Sequence, residues 1–195
     1  MAEVVLFHHV QGLTDGVRAF AEELRAGGHI VHTPDLFDGE HPATIDDGIA
    51  FADSLGDELG ERADRFVAGL PAGLVYGGFS MGAAQAQRLA QTRPGARGAL
   101  LYEGCIPLTG EWSFGPWPDG VPVQIHGRDK DPFFALEGDL DAARELVETV
   151  GPGLGQLFVY PGDRHLFADS SLPSYDADAA ALVVRRSREL LDRVS

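Results

Sequence analysis

The chain has 195 residues, the length of one domain with room for a substantial core, and 44% of them are hydrophobic. Thirty acidic against fifteen basic residues leave a net charge of −15, which disfavours nucleic acid and anionic membrane as partners. A single cysteine, Cys105, excludes an internal disulfide and a cysteine-based zinc site, and no apolar run approaches the roughly 18 residues that a membrane span needs.

The start, Met1-Ala2-Glu3, shows no basic n-region and no long apolar h-region, so no signal peptide is read and a reducing, cytoplasmic setting is expected. Val4-Val5-Leu6-Phe7 is a continuous apolar run, the pattern of a strand buried on both faces. His8-His9-Val10-Gln11-Gly12 leaves it as a loop. Thr14 is placed to cap a helix whose Val17, Phe20, Ala21 and Leu24 share one face and which Gly27-Gly28 ends. His29 to Thr33 reads as a second strand. Ile45 to Leu70 is helical in period, and Gly48, Gly56 and Gly60 predict two helices or one that bends.

Leu74 to Phe79 reads as the third strand and Ala96 to Tyr102 as the fourth. Residues 103–120 form an insertion with Trp112, Phe114, Trp117 and three prolines, placed to line or cover a pocket. Val121 to His126 is the fifth strand. A loop and a helix bearing Leu140, Ala143, Val147 and Val150 follow, then a sixth strand over Gln156 to Tyr160. Ser174 is placed to cap a last helix running to about Val194. Strands alternating with helices predict an α/β fold. About six strands form one doubly wound, mostly parallel sheet with helices on both faces, in a single domain over residues 1–195. Active-site residues then belong at the carboxyl ends of the strands.

Three stretches carry chemistry, and each follows a strand. Gly78-Phe79-Ser80-Met81-Gly82 has the strand, G-x-S-x-G, helix context of a nucleophile elbow. The tight turn lifts the serine hydroxyl clear of its own backbone, and glycines two residues to either side avoid collisions with the strand and helix. After the fifth strand comes His126-Gly127-Arg128-Asp129-Lys130-Asp131-Pro132-Phe133-Phe134. After the sixth comes Tyr160-Pro161-Gly162-Asp163-Arg164-His165-Leu166-Phe167. Serine, acid, histidine in this order is the order of an α/β-hydrolase triad. Ser80 would attack a carbonyl, His165 would take its proton, and a carboxylate would hold the imidazole. Spacing alone leaves Asp129 and Asp131 open as the acid. Pro132 restricts Asp131 to extended backbone, and Phe133 and Phe134 can dock its loop on the core, which favours Asp131. Asp163 lies too close to His165 to match the order of the triad.

In these motifs the whole chain resembles the dienelactone hydrolase family within the α/β-hydrolases. The Gln-Gly-Leu exit of the first strand, Thr-Pro-Asp-Leu-Phe after the second, the elbow, H-G-x-x-x-D-P-F and Y-P-G-x-x-H-x-F recur in order. The resemblance implies a triad of Ser80, Asp131 and His165, and an oxyanion hole from the backbone N–H groups of Met81 and Val10. It implies a cofactor-free enzyme with no metal, acting on a small ester or lactone. The family's namesakes carry cysteine at the elbow, where this chain has Ser80, and a glutamate in the first loop, where it has His9. A serine esterase or lactonase, with little turnover of dienelactone itself, is the expectation.

Among the remaining residues, His9, Gln11, Trp112, Trp117 and Phe133 are candidates to line the substrate site. His8 reads as a packing residue. Adjacent strand residues point to opposite faces, so His8 and His9 do not suit one metal ion. His126 reads as structural, Cys105 as a small buried hydrophobe, and Arg128, Lys130 and Arg164 as solvated or ion-paired. The competing reading is an idle hydrolase scaffold that binds a small molecule or a protein. On either reading the chain is a monomer or a homodimer. A nucleotide binder would need a glycine-rich phosphate loop after the first strand, which His8-His9-Val10-Gln11-Gly12 does not supply.

Overall fold

In the computed structural model, which describes residues 1–195, strand β1 (Glu3–Phe7) sorts its side chains by alternation. Val4 and Leu6 enter one apolar cluster and Val5 and Phe7 the other, so the strand is covered on both faces. Each such fully buried side chain contributes about 1.5–3 kcal/mol. The other strands are β2 (Ile30–His32), β3 (Val75–Phe79), β4 (Gly98–Tyr102), β5 (Val123–Arg128) and β6 (Gly155–Tyr160). All neighbours pair in parallel, in the order β2-β1-β3-β4-β5-β6.

Helices α1 (Asp15–Ala26) and α6 (Ala177–Arg193) cover one face through residues such as Phe20, Leu24 and Val183. Helices α3 (Glu58–Ala68), α4 (Met81–Thr92) and α5 (Asp139–Val150) cover the other, with α2 (Ile45–Leu55) packing alongside. No helix is long and apolar enough to cross a membrane. The first crossover runs from β1 to β2 and the next returns to β3 on the opposite side of β1. The crevice at the carboxyl ends of β1 and β3 is therefore the switch point of the sheet, where such folds place their sites.

Local chemistry explains most boundaries. Thr14 caps α1 as expected, its hydroxyl accepting the Val17 N–H. The long helical stretch breaks into α2 and α3 at Gly56, whose φ of +52° stops the first helix. Strand β5 lies two residues later than its apolar pattern suggested, because parallel pairing to β6 continues through Arg128 and Tyr160. Asp176, not Ser174, caps α6, accepting the Ala179 N–H at 3.1 Å. Ser174 instead donates to the Leu166 carbonyl at 3.1 Å.

Candidate active site

Ser80 stands between β3 and α4 with φ +51° and ψ −113°, a conformation that costs a non-glycine residue energy and persists only where its surroundings impose it. Those surroundings are close. The Ser80 N–H donates to the Tyr102 carbonyl at 2.7 Å. A Cβ on Gly78 would overlap the Gly82 carbonyl, and a Cβ on Gly82 would overlap the carbonyl oxygens of Phe7 and His8. The start of α4 is thus pressed against the exit of β1, the loop that carries Val10. As the first residue of α4, Met81 has no N–H partner one turn back. The Val10 N–H, in the loop after β1, makes no backbone hydrogen bond.

The hydroxyl of half-buried Ser80 lies 2.9 Å from His165 Nε2, and His165 Nδ1 lies 2.6 Å from Asp131 Oδ2. Asp131 is fully buried. Its other oxygen, Oδ1, accepts the N–H groups of Phe133 at 2.9 Å and Phe134 at 3.2 Å, while the Phe134 ring is fully buried in the core. The D-P-F-F run therefore both aims and anchors the carboxylate. Asp129 points away: its Oδ1 accepts the Gly162 N–H at 2.9 Å on an exposed loop. Asp163 is exposed. Burial alone would lower the pKa of His165, but the hydrogen bond to Asp131 and the charges of Glu103, Asp131 and Asp139 outweigh it and hold that pKa above 6.5. This arrangement can deprotonate a serine hydroxyl and stabilise the imidazolium that results.

A cavity of about 430 Å³ opens beside His165, walled by Gln11, Ile45, Phe133, Leu172 and Pro173. The Phe133 ring stacks obliquely at 4.8 Å from the His165 ring. Gln11 is fixed by donating to the carbonyl of Ala43 at 3.0 Å. A larger cavity of about 640 Å³ lies between α1 and α6, away from Ser80 and His165.

The model of the dienelactone hydrolase family matches residues 1–195. The chain belongs to the dienelactone hydrolase family. Solved structures agree on the fold. A candidate dienelactone hydrolase from Klebsiella pneumoniae subsp. pneumoniae superposes with a TM-score of 0.76 at 16% identity, over 99% of this chain and 87% of its own. A dienelactone hydrolase-like promiscuous phosphotriesterase from metagenomic libraries gives 0.74 at 19%, over 100% and 87%. Esterase 2 of Thermogutta terrifontis, phosphonylated by cyclosarin, gives 0.63 at 15%, over 100% and 84%. At these identities the likeness establishes the α/β-hydrolase fold. A comparison with curated proteins finds no match.

Within this family framework three expected lining residues sit elsewhere. His9 is fully buried, with Nε2 2.8 Å from Asp169 Oδ2, so it faces a carboxylate and not the cavity. Trp117 is buried and donates its indole N–H to the Val121 carbonyl at 2.8 Å. Trp112 is 77% exposed. The 103–120 segment does not cover the cavity beside His165. It descends along α4, where Gln87 holds both the N–H and the carbonyl of Ile106 and Gln91 donates to Gly115. The aromatic residues of the segment carry no period that would fix its direction, and two glutamines of α4 settle it.

Other expectations match their surroundings. His8 packs edge-on against Phe37 and accepts the Leu36 N–H, and burial pulls its pKa down to about 4, leaving it neutral. His8 and His9 diverge, as their alternation requires. His126 bonds Tyr160 and Gln124 in the interior. Arg128 is buried, not solvated, and pairs with Asp176 at 2.6 Å while lying over the Phe167 ring. Burial raises the pKa of the Cys105 thiol, which stays protonated.

Two acidic residues near the site escaped the sequence reading. Asp169 is the partner of His9. Glu103 follows β4 with φ +56°, its side chain buried beside Asp131 and His165. The available signal for Glu103 was its position: an acid directly after an apolar strand, at the carboxyl end of the sheet.

Proposed function

We propose that this protein is a cofactor-free serine hydrolase acting on a small ester or lactone through an acyl-serine intermediate. The observation that carries the reading is the hydrogen-bonded chain Ser80 Oγ, His165, Asp131, with spacings of 2.9 and 2.6 Å, in a member of the dienelactone hydrolase family.

Ser80 Oγ attacks the carbonyl carbon as its proton passes to His165 Nε2. Asp131 holds the Nδ1–H and stabilises the imidazolium. The backbone N–H groups of Met81 and Val10 receive the developing oxyanion; both are fixed in place before charge appears. Collapse of the tetrahedral adduct breaks the bond to the leaving alkoxide, which takes the proton from Nε2. Water then attacks the acyl-serine with His165 again as base, releasing the acid and restoring Ser80. The cavity beside His165 suits a small acyl group, bounded by Gln11 and Phe133. No step uses a metal or an organic cofactor. The net charge of −15 argues against nucleic acid or anionic membrane as partner, and the lone buried cysteine is consistent with a cytoplasmic enzyme.

Structural neighbours support the reaction class: one is called an esterase and was captured phosphonylated, another is called a phosphotriesterase. Ser80 in place of cysteine points to a substrate other than dienelactone. A fluorophosphonate probe tests the reading. Mass mapping should place the label on Ser80 alone, and short p-nitrophenyl esters should be hydrolysed in the presence of chelator. A folded protein that takes no label, or takes it elsewhere, would instead be an idle scaffold.

A further inference from the structure

The mechanism above leaves Glu103 unused. The residue follows β4, the strand between the one that ends at Ser80 and the one that leads to Asp131. Its N–H donates to the His126 carbonyl at 2.7 Å, and its left-handed backbone turns the side chain inward. Oε1 accepts the Phe167 N–H at 3.3 Å. Oε2 is buried and has no partner. One oxygen of Glu103, one of Asp131 and one nitrogen of His165 all lie within 4.8 Å of one another. A glutamine would hold the Phe167 N–H equally well, so anchoring the loop does not account for an acid here.

We propose that Glu103 is a second acid for His165, a positioning residue held beside Asp131 and able to assume part of its role. The proposal rests on the Ser80–His165–Asp131 reading. Its physical basis is the sharing of charge between neighbouring carboxyls. Burial raises the pKa of Glu103, the His165 charge lowers it, the Asp131 charge raises it again, and the result is about 7. While Asp131 carries the negative charge, Glu103 keeps most of its proton below that pH. When Asp131 is made neutral, the repulsion goes and Glu103 ionises more readily beside the imidazole. The two groups are no more than 4.8 Å apart, so reaching His165 at hydrogen-bond distance requires the carboxyl to move by at most about 2 Å. Asp139 also bears on His165, and its Oδ2 accepts the Cys105 N–H at 3.0 Å. His165 is the cation these three carboxyls face. The proton path is unchanged: the Ser80 proton still moves to Nε2, and the Glu103 carboxylate stabilises the imidazolium.

Steady-state hydrolysis of a p-nitrophenyl ester by Asp131→Asn, Glu103→Gln and the double variant tests this, with Ser80→Ala as control. Loss of a lone tautomer-fixing acid can lower kcat about 10⁴-fold, and roughly 10³–10⁴ would be expected for Asp131→Asn from the triad alone. With Glu103 present the expected loss is ~10²-fold, and it shrinks as pH rises and Glu103 ionises. The double variant should lose a further ~10²-fold and that pH dependence, while Glu103→Gln alone loses under about tenfold. A double variant no slower than Asp131→Asn overturns the proposal. A second measurement needs no turnover: the His165 imidazole, followed by NMR, should titrate at lower pH in Glu103→Gln, because a raising charge has gone. An unchanged midpoint also overturns it. If Ser80→Ala is inactive while Glu103 shows neither effect, only the second acid fails; if Ser80→Ala keeps full activity, the triad reading fails with it.

Discussion

His9 Nε2 and Asp169 Oδ2 lie 2.8 Å apart, and both side chains are buried. The pair ties the loop after β1, which bears Val10, to the loop after β6, which bears His165. Asp169 also accepts from the Thr14 hydroxyl at 2.5 Å and from the N–H and hydroxyl of Ser171, and its own N–H donates to the Leu166 carbonyl. Burial raises its pKa, but the bonds from His9, Ser171 and Thr14 outweigh that and hold it below 3.8. Asp169→Asn should cost about 1–3 kcal/mol at pH 7, by leaving buried partners poorly satisfied. Because the folded pKa is depressed, this stabilisation is complete above the ordinary carboxyl pKa and is lost as pH falls through the folded value. Urea unfolding of the two proteins from pH 7 downward should show the gap closing in acid. A gap that stays constant would mean that Asp169 acts through its shape alone.

The raised pKa of His165 has a kinetic signature. In the proposed mechanism its base form is the active one, so kcat/KM should fall on the acid side with a midpoint above the ordinary imidazole value of 6.5. A midpoint at or below 6.5 would contradict the charge arrangement around the ring.

Two substitutions should matter little. Asp129→Asn keeps an acceptor for the Gly162 N–H and lies outside the Ser80–His165–Asp131 chain, so kcat should drop by under about tenfold, or ~1.4 kcal/mol of barrier. Trp112→Ala removes a side chain that is 77% exposed, and KM for a small ester should stay within about twofold. Kinetics on both folded variants decide the matter; a large loss with Asp129→Asn would transfer the proposed role of acid away from Asp131.

Asp131 and Glu103 mark how far the sequence is legible. Asp131 was separable from Asp129 because its neighbours act locally: Pro132 restricts the backbone, and two phenylalanines offer the loop an anchor. The elbow was legible for the same reason, since its glycines answer contacts within a few residues of Ser80. Glu103 comes near His165 only because β4 and β6 both flank β5, an adjacency set by the whole sheet and by no local pattern. The His9–Asp169 pair spans 160 residues and was equally hidden. The cap of α6 fell on Asp176 and not Ser174 because the Leu166 carbonyl, far away in sequence, had claimed the serine hydroxyl.

Ser80, Glu103 and Leu166 are three of only four non-glycine residues with positive φ, and all three sit at the carboxyl end of the sheet around His165. For an L-residue such backbone costs on the order of 1–2 kcal/mol, a cost glycine largely escapes. Ser80→Gly should therefore melt about 2–4 °C higher than the parent, which calorimetry can check, while abolishing the proposed chemistry. Directed evolution for heat resistance without an activity screen would be drawn toward that replacement. Thermostability in this scaffold has to be sought elsewhere, for example on the outer faces of its helices, and any hardened variant should be sequenced at position 80 before it is trusted as a biocatalyst.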